Sequence, residues 1–448
     1  MTVTDAARVT AVQRRRAFVL LGSVQGTLIF TLAAIAVPLP LIGRAFDLRR
    51  ADLILLSSAY GLTFAGLLLF GGRLTDRHGG RRALTAGLAL FAVASAAALL
   101  APGIGTLLAA RFAQGAGAAV IAPAAMAVLR AAFPCPTAYG RAMATWGGLS
   151  VLGATAGNLL SGVISTLLSW RWTFAVPPVV ALGALALTPR LLPDTPPSRG
   201  RALDLPGAVL ATGGIILAGY GLVALGDRPR SPVGVLVPLL AGAALLAVFG
   251  YAEHRARDPL LPPRFLRDRR RALALAAIAL GACGTSLTFV VLSLHLQEAR
   301  GWSPMRTSAA FVPFAVALIA SGRTAGPLVR RYGAQAVTTA GLGTAGAGLA
   351  LLGLTGIHAH ASYAYGLLPG LVLLPAGAAA SFAGAAVLAT EGVPQQHVGL
   401  AAGVLNTAME FGPTVLFAVL LTLGSDARSL ATTAAVLGVV ALLNQRAK

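Results

Sequence analysis

Apolar runs of bilayer length leave this chain few folds. A helix needs about 20 consecutive apolar residues to cross a membrane, and such runs recur from near the first residues to the last. Fourteen spans are predicted: 17–43, 52–72, 83–101, 105–129, 143–167, 172–188, 206–226, 232–251, 273–296, 305–326, 335–356, 363–388, 399–423 and 429–444. The runs are apolar all round rather than along one stripe, as lipid burial requires. Lipid offers the backbone no hydrogen-bond partner, so the spans are α-helices. Charged residues make up only 11% of the 448 positions, too few to cover a water-facing surface. The expectation is an all-α integral membrane protein.

The formal net charge of +21 would suggest nucleic-acid binding in a soluble chain. Here the distribution explains it. With an even number of spans, both termini share one side, and that side carries 25 of the 35 basic residues. The other side holds Arg44, Arg49, Arg50, Arg228, Arg230, Arg300, Arg306 and Arg428. Loops rich in Arg stay in the cytoplasm, so both termini are expected there and no nucleic-acid partner is. The basic patch and apolar run at the N-terminus are read as a retained first span, because the run is too long for a signal sequence. Two cysteines, Cys135 and Cys283, suggest neither a disulfide framework nor a metal site. His358 and His360 are too few to hold a metal, and no cofactor is expected. Lys448 is the sole lysine, so no phosphate-binding loop can be built. GLGTAG at 341–346 lies inside a span and is read as helix packing.

The chain repeats itself. GRLTDRHGGRRALTAGL from Gly72 and GPLVRRYGAQAVTTAGL from Gly326 align at a constant offset of 254 residues. Gly72 matches Gly326, Arg77 matches Arg331, Gly79 matches Gly333, and Thr85 to Leu88 matches Thr339 to Leu342. Both copies follow an even-numbered span, which is the pattern of a parallel duplication with substrate bound between the halves. The expected domains are a six-helix bundle over 1–192, an inserted helix pair over 193–251, a basic cytoplasmic linker over 252–272 and a second six-helix bundle over 273–448.

Several segments together resemble the major facilitator superfamily in its fourteen-span drug:proton antiporter form. Gly72, Leu74, Asp76, Arg77, Gly79, Arg81 and Arg82 are similar to its loop signature between spans 2 and 3. Leu107, Arg111, Gln114, Gly115 and Gly117 are similar to its fourth-span signature. Gly153, Gly157 and Asn158 resemble its antiporter signature, with Ala154 in place of the usual Pro. Trp170-Arg171-Trp172, and Leu296-Gln297 followed by Gly301, Ser303 and Pro304, match further segments. The resemblance implies the major facilitator fold, two parallel six-helix bundles with two inserted helices, and export of amphipathic small molecules such as antibiotics in exchange for protons. It implies no enzyme activity and a multi-pass protein of a bacterial-type plasma membrane, taken here as a monomer. The subfamily carries an Asp in span 1 where this chain has Thr31, which removes proton coupling from its usual place.

The candidate residues follow. Asp76 would latch a cytoplasmic gate against the start of span 13, since an anion is favoured at a helix N-terminus. Gly72 and Gly79 would allow a tight turn and close helix approach, and Arg77 and Arg81 complete the gating motif. Gly153 and Gly157 have the spacing that lets helices touch in lipid, and are expected to meet a helix of the other bundle. Arg111, with Gln114 one turn away, either lines the cavity or ties helices together. Glu410 is the one acid well inside a span, and an apolar setting favours a carboxyl that takes up protons. It is the leading proton carrier, with Arg111 as its counter-charge. His295 closes span 9, and an imidazole titrates near neutral pH; it is an outer proton entry or a solvated helix end. The substrate cavity is assigned to Gln25, Gln114, Asn158 and Asn406, with Phe30, Trp146 and Phe289 as apolar wall. Three other readings stay open: transport of a native metabolite or lipid, facilitation without proton coupling, and a membrane sensor that moves nothing.

Overall fold

The computed structural model describes residues 11–195, 197, 205–225, 232–255, 268–358, 362–391, 404–405, 408–409 and 426–446. Among them the structure is helical and contains no strand. In chain order the helices are α1 (Ala11–Ala33), α2 (Leu39–Phe46), α3 (Arg50–His78), α4 (Gly80–Leu99), α5 (Ile104–Ala132), α6 (Pro136–Leu167), α7 (Val176–Leu191), α8 (Leu205–Leu225) and α9 (Pro232–Arg255). They continue as α10 (Arg269–Leu294), α11 (Pro304–Ala310), α12 (Val312–Tyr332), α13 (Ala334–Leu351), α14 (Leu368–Thr390) and α15 (Asp426–Arg446). Short π turns extend α10 over His295–Ala299 and α13 over Leu352–Gly356, and another leads into α14 over Tyr363–Leu367.

Ten helices among the described residues are long and apolar enough to cross a membrane. An eleventh counts if the two arms of α3, bent by 52°, form one span. Shorter apolar helices stand at Leu152–Leu167 and Val209–Gly221, inside the expected spans 143–167 and 206–226. The expected span 399–423 falls almost wholly outside the described residues. The expected first span, 17–43, is not one helix. It stops at Ala33, turns through 34–38 and restarts as α2. Pro38 and Pro40 lack the N–H groups that would bond back to Ala34 and Ala36, which weakens a continuous helix at that place.

Helix starts are set by local chemistry. The Asp268 carboxylate accepts from the N–H groups of Arg270 (3.0 Å) and Arg271 (3.4 Å) at the head of α10, and the Ser303 hydroxyl accepts from Arg306 N–H (3.2 Å) ahead of Pro304 in α11. These satisfy donors that a helix start otherwise leaves unbonded. Gly79 and Gly333, the paired glycines of the repeat, are the single non-helical residues between α3 and α4 and between α12 and α13. Their backbones adopt φ 85°, ψ 146° and φ 85°, ψ 152°, a region that strains any residue with a side chain.

Packing follows the same repeat. In the first half α1 lies on α5, α6 and α7, α3 on α5, and α4 on α5 and α7. In the second half α10 lies on α14 and α15, α12 on α14, and α13 on α14 and α15. At corresponding places two helices touch through glycines, Gly87 against Gly117 and Gly341 against Gly377, which lets backbones approach without a hydrophobic drive. The inserted α8 packs on α3 and on α9. The halves meet where α6 lies on α11 and α12, and where α2 lies on α10. One buried apolar cluster stays within the first half, through Leu21, Phe64, Leu84, Phe91 and Val128. The other runs through the second half and reaches Ile35, Leu39, Ile42 and Leu53 of the first. That contact lies at the end of the bundle remote from Gly79 and Gly333.

Candidate functional site

Arg111 is the largest side chain that the fold encloses completely, and Gln114 is enclosed with it. The guanidinium Nη1 donates to the backbone carbonyl of Thr31 (3.1 Å) and to Gln114 Oε1 (3.2 Å). Gln114 Nε2 donates on to Ser95 Oγ (2.9 Å). The charge lies 5.0 Å from the centroid of the Tyr60 ring, whose hydroxyl donates to the Leu28 carbonyl (3.1 Å). An aromatic face attracts a cation most strongly when both are desolvated. Arg111 thus joins α1, α3, α4 and α5. Its Nε and Nη2 have no partner among the described residues, and no carboxylate there pairs with it. Thr31, at the position of the subfamily's acid, contributes its backbone oxygen; its hydroxyl donates to the Thr27 carbonyl (2.7 Å).

The cavity candidates lie on two faces. Gln25 Nε2 donates to Ser150 Oγ (3.1 Å) between α1 and α6. Trp146, buried on α6, has an indole N–H without a partner among the described residues. Phe30 is buried on α1, and Phe289 stacks within the second half on Phe311 (4.6 Å between centroids) and Phe314 (4.8 Å). Asn158 is buried, donates to the Ala154 carbonyl (3.2 Å), and leaves its Oδ1 without a partner among the described residues. Asn406 and Glu410 lie outside the described residues.

Gly153 and Gly157 do not face the other half. A side chain at Gly153 would meet the backbone of Gly26, and one at Gly157 would meet the Phe30 carbonyl at 2.7 Å, both on α1 of the same half. The contact across the halves comes further along α6. Gly162 faces Ser308 and the Pro304 carbonyl of α11. Ser308 Oγ donates to the Asn158 carbonyl (2.7 Å), and Met305 N–H donates to Thr166 Oγ1 (3.1 Å). A second seam joins the break in the first span to the π turn after α10. There Gln297 Nε2 donates to the Val37 carbonyl (2.8 Å). His295, on the same turn, accepts through Nε2 from Arg300 Nε (3.3 Å). Arg300 lies beyond the span, and its partial burial lowers its pKa from the ordinary value.

In the loop motif, Asp76 is half-buried near the end of α3 and Arg77 is exposed. Arg81 donates through its backbone N–H to Thr195 Oγ1 (3.2 Å) and reaches the Asp194 carboxylate at 3.5 Å. Gly79 serves the turn as expected. Among the described residues, a side chain at Gly72 would meet nothing within 4 Å. Gly71 is the contact glycine, lying against the backbone of Ala119 on α5. The start of span 13, the expected partner of Asp76, is outside the described residues. Gln297 was noted only as part of a family-like segment, and Ser308 was not singled out from sequence. The only signal was polarity in otherwise apolar surroundings, since Ser308 falls inside an expected span and Gln297 directly follows one.

The chain matches the family description Major Facilitator Superfamily over residues 19–417. It is 33% identical over 393 residues to the puromycin resistance protein pur8 of Streptomyces alboniger, covering 87% of this chain and 78% of that one. It is 34% identical over 407 residues to the cephamycin export protein CmcT of Amycolatopsis lactamdurans, covering 90% and 83%. A lincomycin resistance protein of Streptomyces lincolnensis is 34% identical over 390 residues, covering 87% and 80%. Among solved structures, the POT family transporter PepTSo superposes with a TM-score of 0.71 at 14% identity, over 98% of each chain.

Proposed function

As the chain belongs to the major facilitator superfamily, we propose that it exports amphipathic small molecules of the antibiotic class across a bacterial plasma membrane. The observation that carries this reading is the seam. Among the described residues, two halves with one repeated packing pattern touch through hydrogen bonds at one end, a geometry suited to rocking about a central site. Relatives named for puromycin and lincomycin resistance and for cephamycin export support the substrate class. The Arg distribution puts both termini and the turns at Gly79 and Gly333 in the cytoplasm, which makes the closed seam the outer one. The working unit is one chain, with bundles 1–192 and 273–448 moving about the seam and the pair in 193–251 riding on α3. Substrate, protons and lipid are its partners, and no bond is made or broken in its cargo.

Proton exchange drives the cycle, with Glu410 as carrier and Arg111 as the fixed charge. Gln25, Gln114, Asn158 and Asn406, with Phe30, Trp146 and Phe289, lie along the substrate route. One observation favours a second reading: Thr31 supplies no acid to Arg111, as in a facilitator without coupling. The test is uptake of puromycin, a cephamycin and lincomycin into inside-out vesicles with an imposed pH gradient. Gradient-dependent uptake supports coupled export; uptake indifferent to the gradient supports facilitation; no uptake of any of the three overturns the substrate class.

A further inference from the structure

The offset of 254 residues that aligns the two halves pairs α3 with α12. Gly71 lies against α5; its partner in the repeat, Ala325, is likewise buried, and α12 packs on α14. The two helices thus turn equivalent faces to their own bundles. The faces turned away from the bundles differ. Leu62, nine residues before Gly71, is on the opposite side of α3. There the inserted helix α8 covers it: a side chain at Gly219 would meet Leu62 at 2.9 Å, and one at Gly66 would meet Thr212 at 3.2 Å. The partners on α12 are Val316 and Ala320, and they stand open among the described residues; Val316 is 60% exposed, against 1% for Leu62. Further along the same face the sequence places Leu69 and Asp76 on α3, but Arg323 and Arg330 on α12. Where the first half is covered, apolar and then acidic, the second is bare and carries two cations.

We propose that this face of α12 binds an anionic phospholipid of the cytoplasmic leaflet: Arg323 and Arg330 hold its phosphate, and its acyl chain runs along Val316 and Ala320, taking on the second half the place that α8 takes on the first. The leaflet follows from the Arg distribution, and the site is independent of the cargo. Both arginines are exposed, and both lie back along the helix toward the membrane. Arg323 Nη1 donates to the Ile319 carbonyl at 3.5 Å, and Arg330 Nη1 lies 3.9 Å from where a side chain on Gly326 would begin. Arg323 stands one turn inside residue 326, the expected end of its span. A cation at that depth is costly unless an anion or water meets it. Of the helices that touch α12, α6, α11 and α13 hold no acid, and α14 ends at Glu391, which is exposed. Residues 392–409 after it hold none. Among the described residues neither arginine pairs with a carboxylate. Arg331 lies 5.2 Å from the centroid of the Tyr332 ring. A guanidinium matches the geometry of a phosphate and is weakly hydrated, so it gives up water readily at the edge of the hydrocarbon. A zwitterionic headgroup would bring its own cation against the two arginines, which selects a lipid with net negative charge. Basic sites beside membrane helices on the cytoplasmic side recognise such headgroups.

The test is native mass spectrometry of the full-length protein released from detergent, with phosphatidylglycerol and phosphatidylcholine of the same acyl chains offered in equal amounts. The wild type should retain phosphatidylglycerol in preference to phosphatidylcholine. A basic residue beside an anionic lipid is worth about fivefold in binding, so Arg323→Leu and Arg330→Leu should each lower the retained phosphatidylglycerol about fivefold. Arg446→Leu, in the last turn of α15, should leave it unchanged. Thermal unfolding shows that the variants are folded and gives a second reading: phosphatidylglycerol should raise the unfolding temperature of the wild type and of Arg446→Leu more than that of the two α12 variants. Equal retention of the two lipids, or a preference that survives in both Arg323→Leu and Arg330→Leu, overturns the site. So does a dimer that is lost in Arg323→Leu while lipid retention stays the same, which would make a second copy of the chain the occupant of this face.

Discussion

Ser308 offers a direct measurement of what holds the halves together. Its hydroxyl, 2% exposed, donates to the Asn158 carbonyl at 2.7 Å across the seam. That carbonyl also accepts from Ser161 Oγ at 3.1 Å. Ser308→Ala therefore does not orphan the acceptor, and the loss is that of one net hydrogen bond, about 0.5–1.5 kcal/mol, rather than a full desolvation penalty. The hole left is one oxygen in size. With the seam open, water takes the place of the carbonyl and nothing is lost. Only the closed state is weakened, so the closed-to-open ratio should fall roughly 2- to 13-fold, centred near fivefold at about 1 kcal/mol.

The assay is the spin-label distance between Leu168 and Met305 at one fixed pH. Thr307, one residue earlier, supplies a control of opposite sign. Its Oγ1 is buried without a partner among the described residues, so Thr307→Val removes an unsatisfied hydroxyl at constant shape and should raise the unfolding temperature without opening the seam. An unchanged distance distribution in Ser308→Ala, or a Thr307→Val protein that opens as far as Ser308→Ala does, would refute the reasoning that this bond closes the seam.

Three further outcomes are expected. Gly71→Ala drives a methyl group into the Ala119 backbone and should destabilise by roughly 1–3 kcal/mol, while Gly72→Ala meets nothing and should be neutral or stabilising by up to about 1 kcal/mol; thermal unfolding in detergent reads both, and the reverse order counts against the helix contact. Arg111→Met removes a buried charge that pairs with no described carboxylate, so stability should change by less than the roughly 3–5 kcal/mol that breaking a buried ion pair costs, while export is lost; export that merely tracks the amount of folded protein would make Arg111 a tie between helices and nothing more. Glu410→Gln should abolish uptake driven by a pH gradient in vesicles while leaving the protein folded, and normal gradient-driven uptake would remove it as the proton carrier.

How far the chain could be read in advance depended on the scale of the feature. Helix positions followed from apolar runs because lipid leaves the backbone no alternative. Gly79 was legible as a turn, and Gly333 as its match in the repeat, because a sharp turn between two helices favours the conformation that glycine adopts freely. The break after Ala33 was hidden, since 34–38 is as apolar as the helices around it and only Pro38 and Pro40 mark it. Faces were harder still. Gly71 and Gly72 are neighbours, turned about 100° apart on a helix, and nothing local says which of them meets α5. Gly153 and Gly157 were recognised as contact positions, but a spacing does not name its partner; they meet α1, while Gly162, a turn beyond, meets α11. The seam roles of Gln297 and Ser308 were missed because one polar side chain at a helix end or in a span reads equally well as packing.

Arg111 shows why the absent acid of span 1 need not leave a void. The last four carbonyls of a helix lack intrahelical partners and carry the negative end of its dipole. Because α1 stops at Ala33, Thr31 is among those four, and its carbonyl takes the guanidinium at 3.1 Å. In a continuous helix that oxygen would be bonded to the N–H of residue 35. The break at 34–38 thus supplies a neutral substitute for the carboxylate at the place where the carboxylate would stand. The substitute satisfies one nitrogen and cannot take up a proton, and Nε and Nη2 are left without a partner among the described residues. A fixed cation held this way disfavours a second positive charge near it.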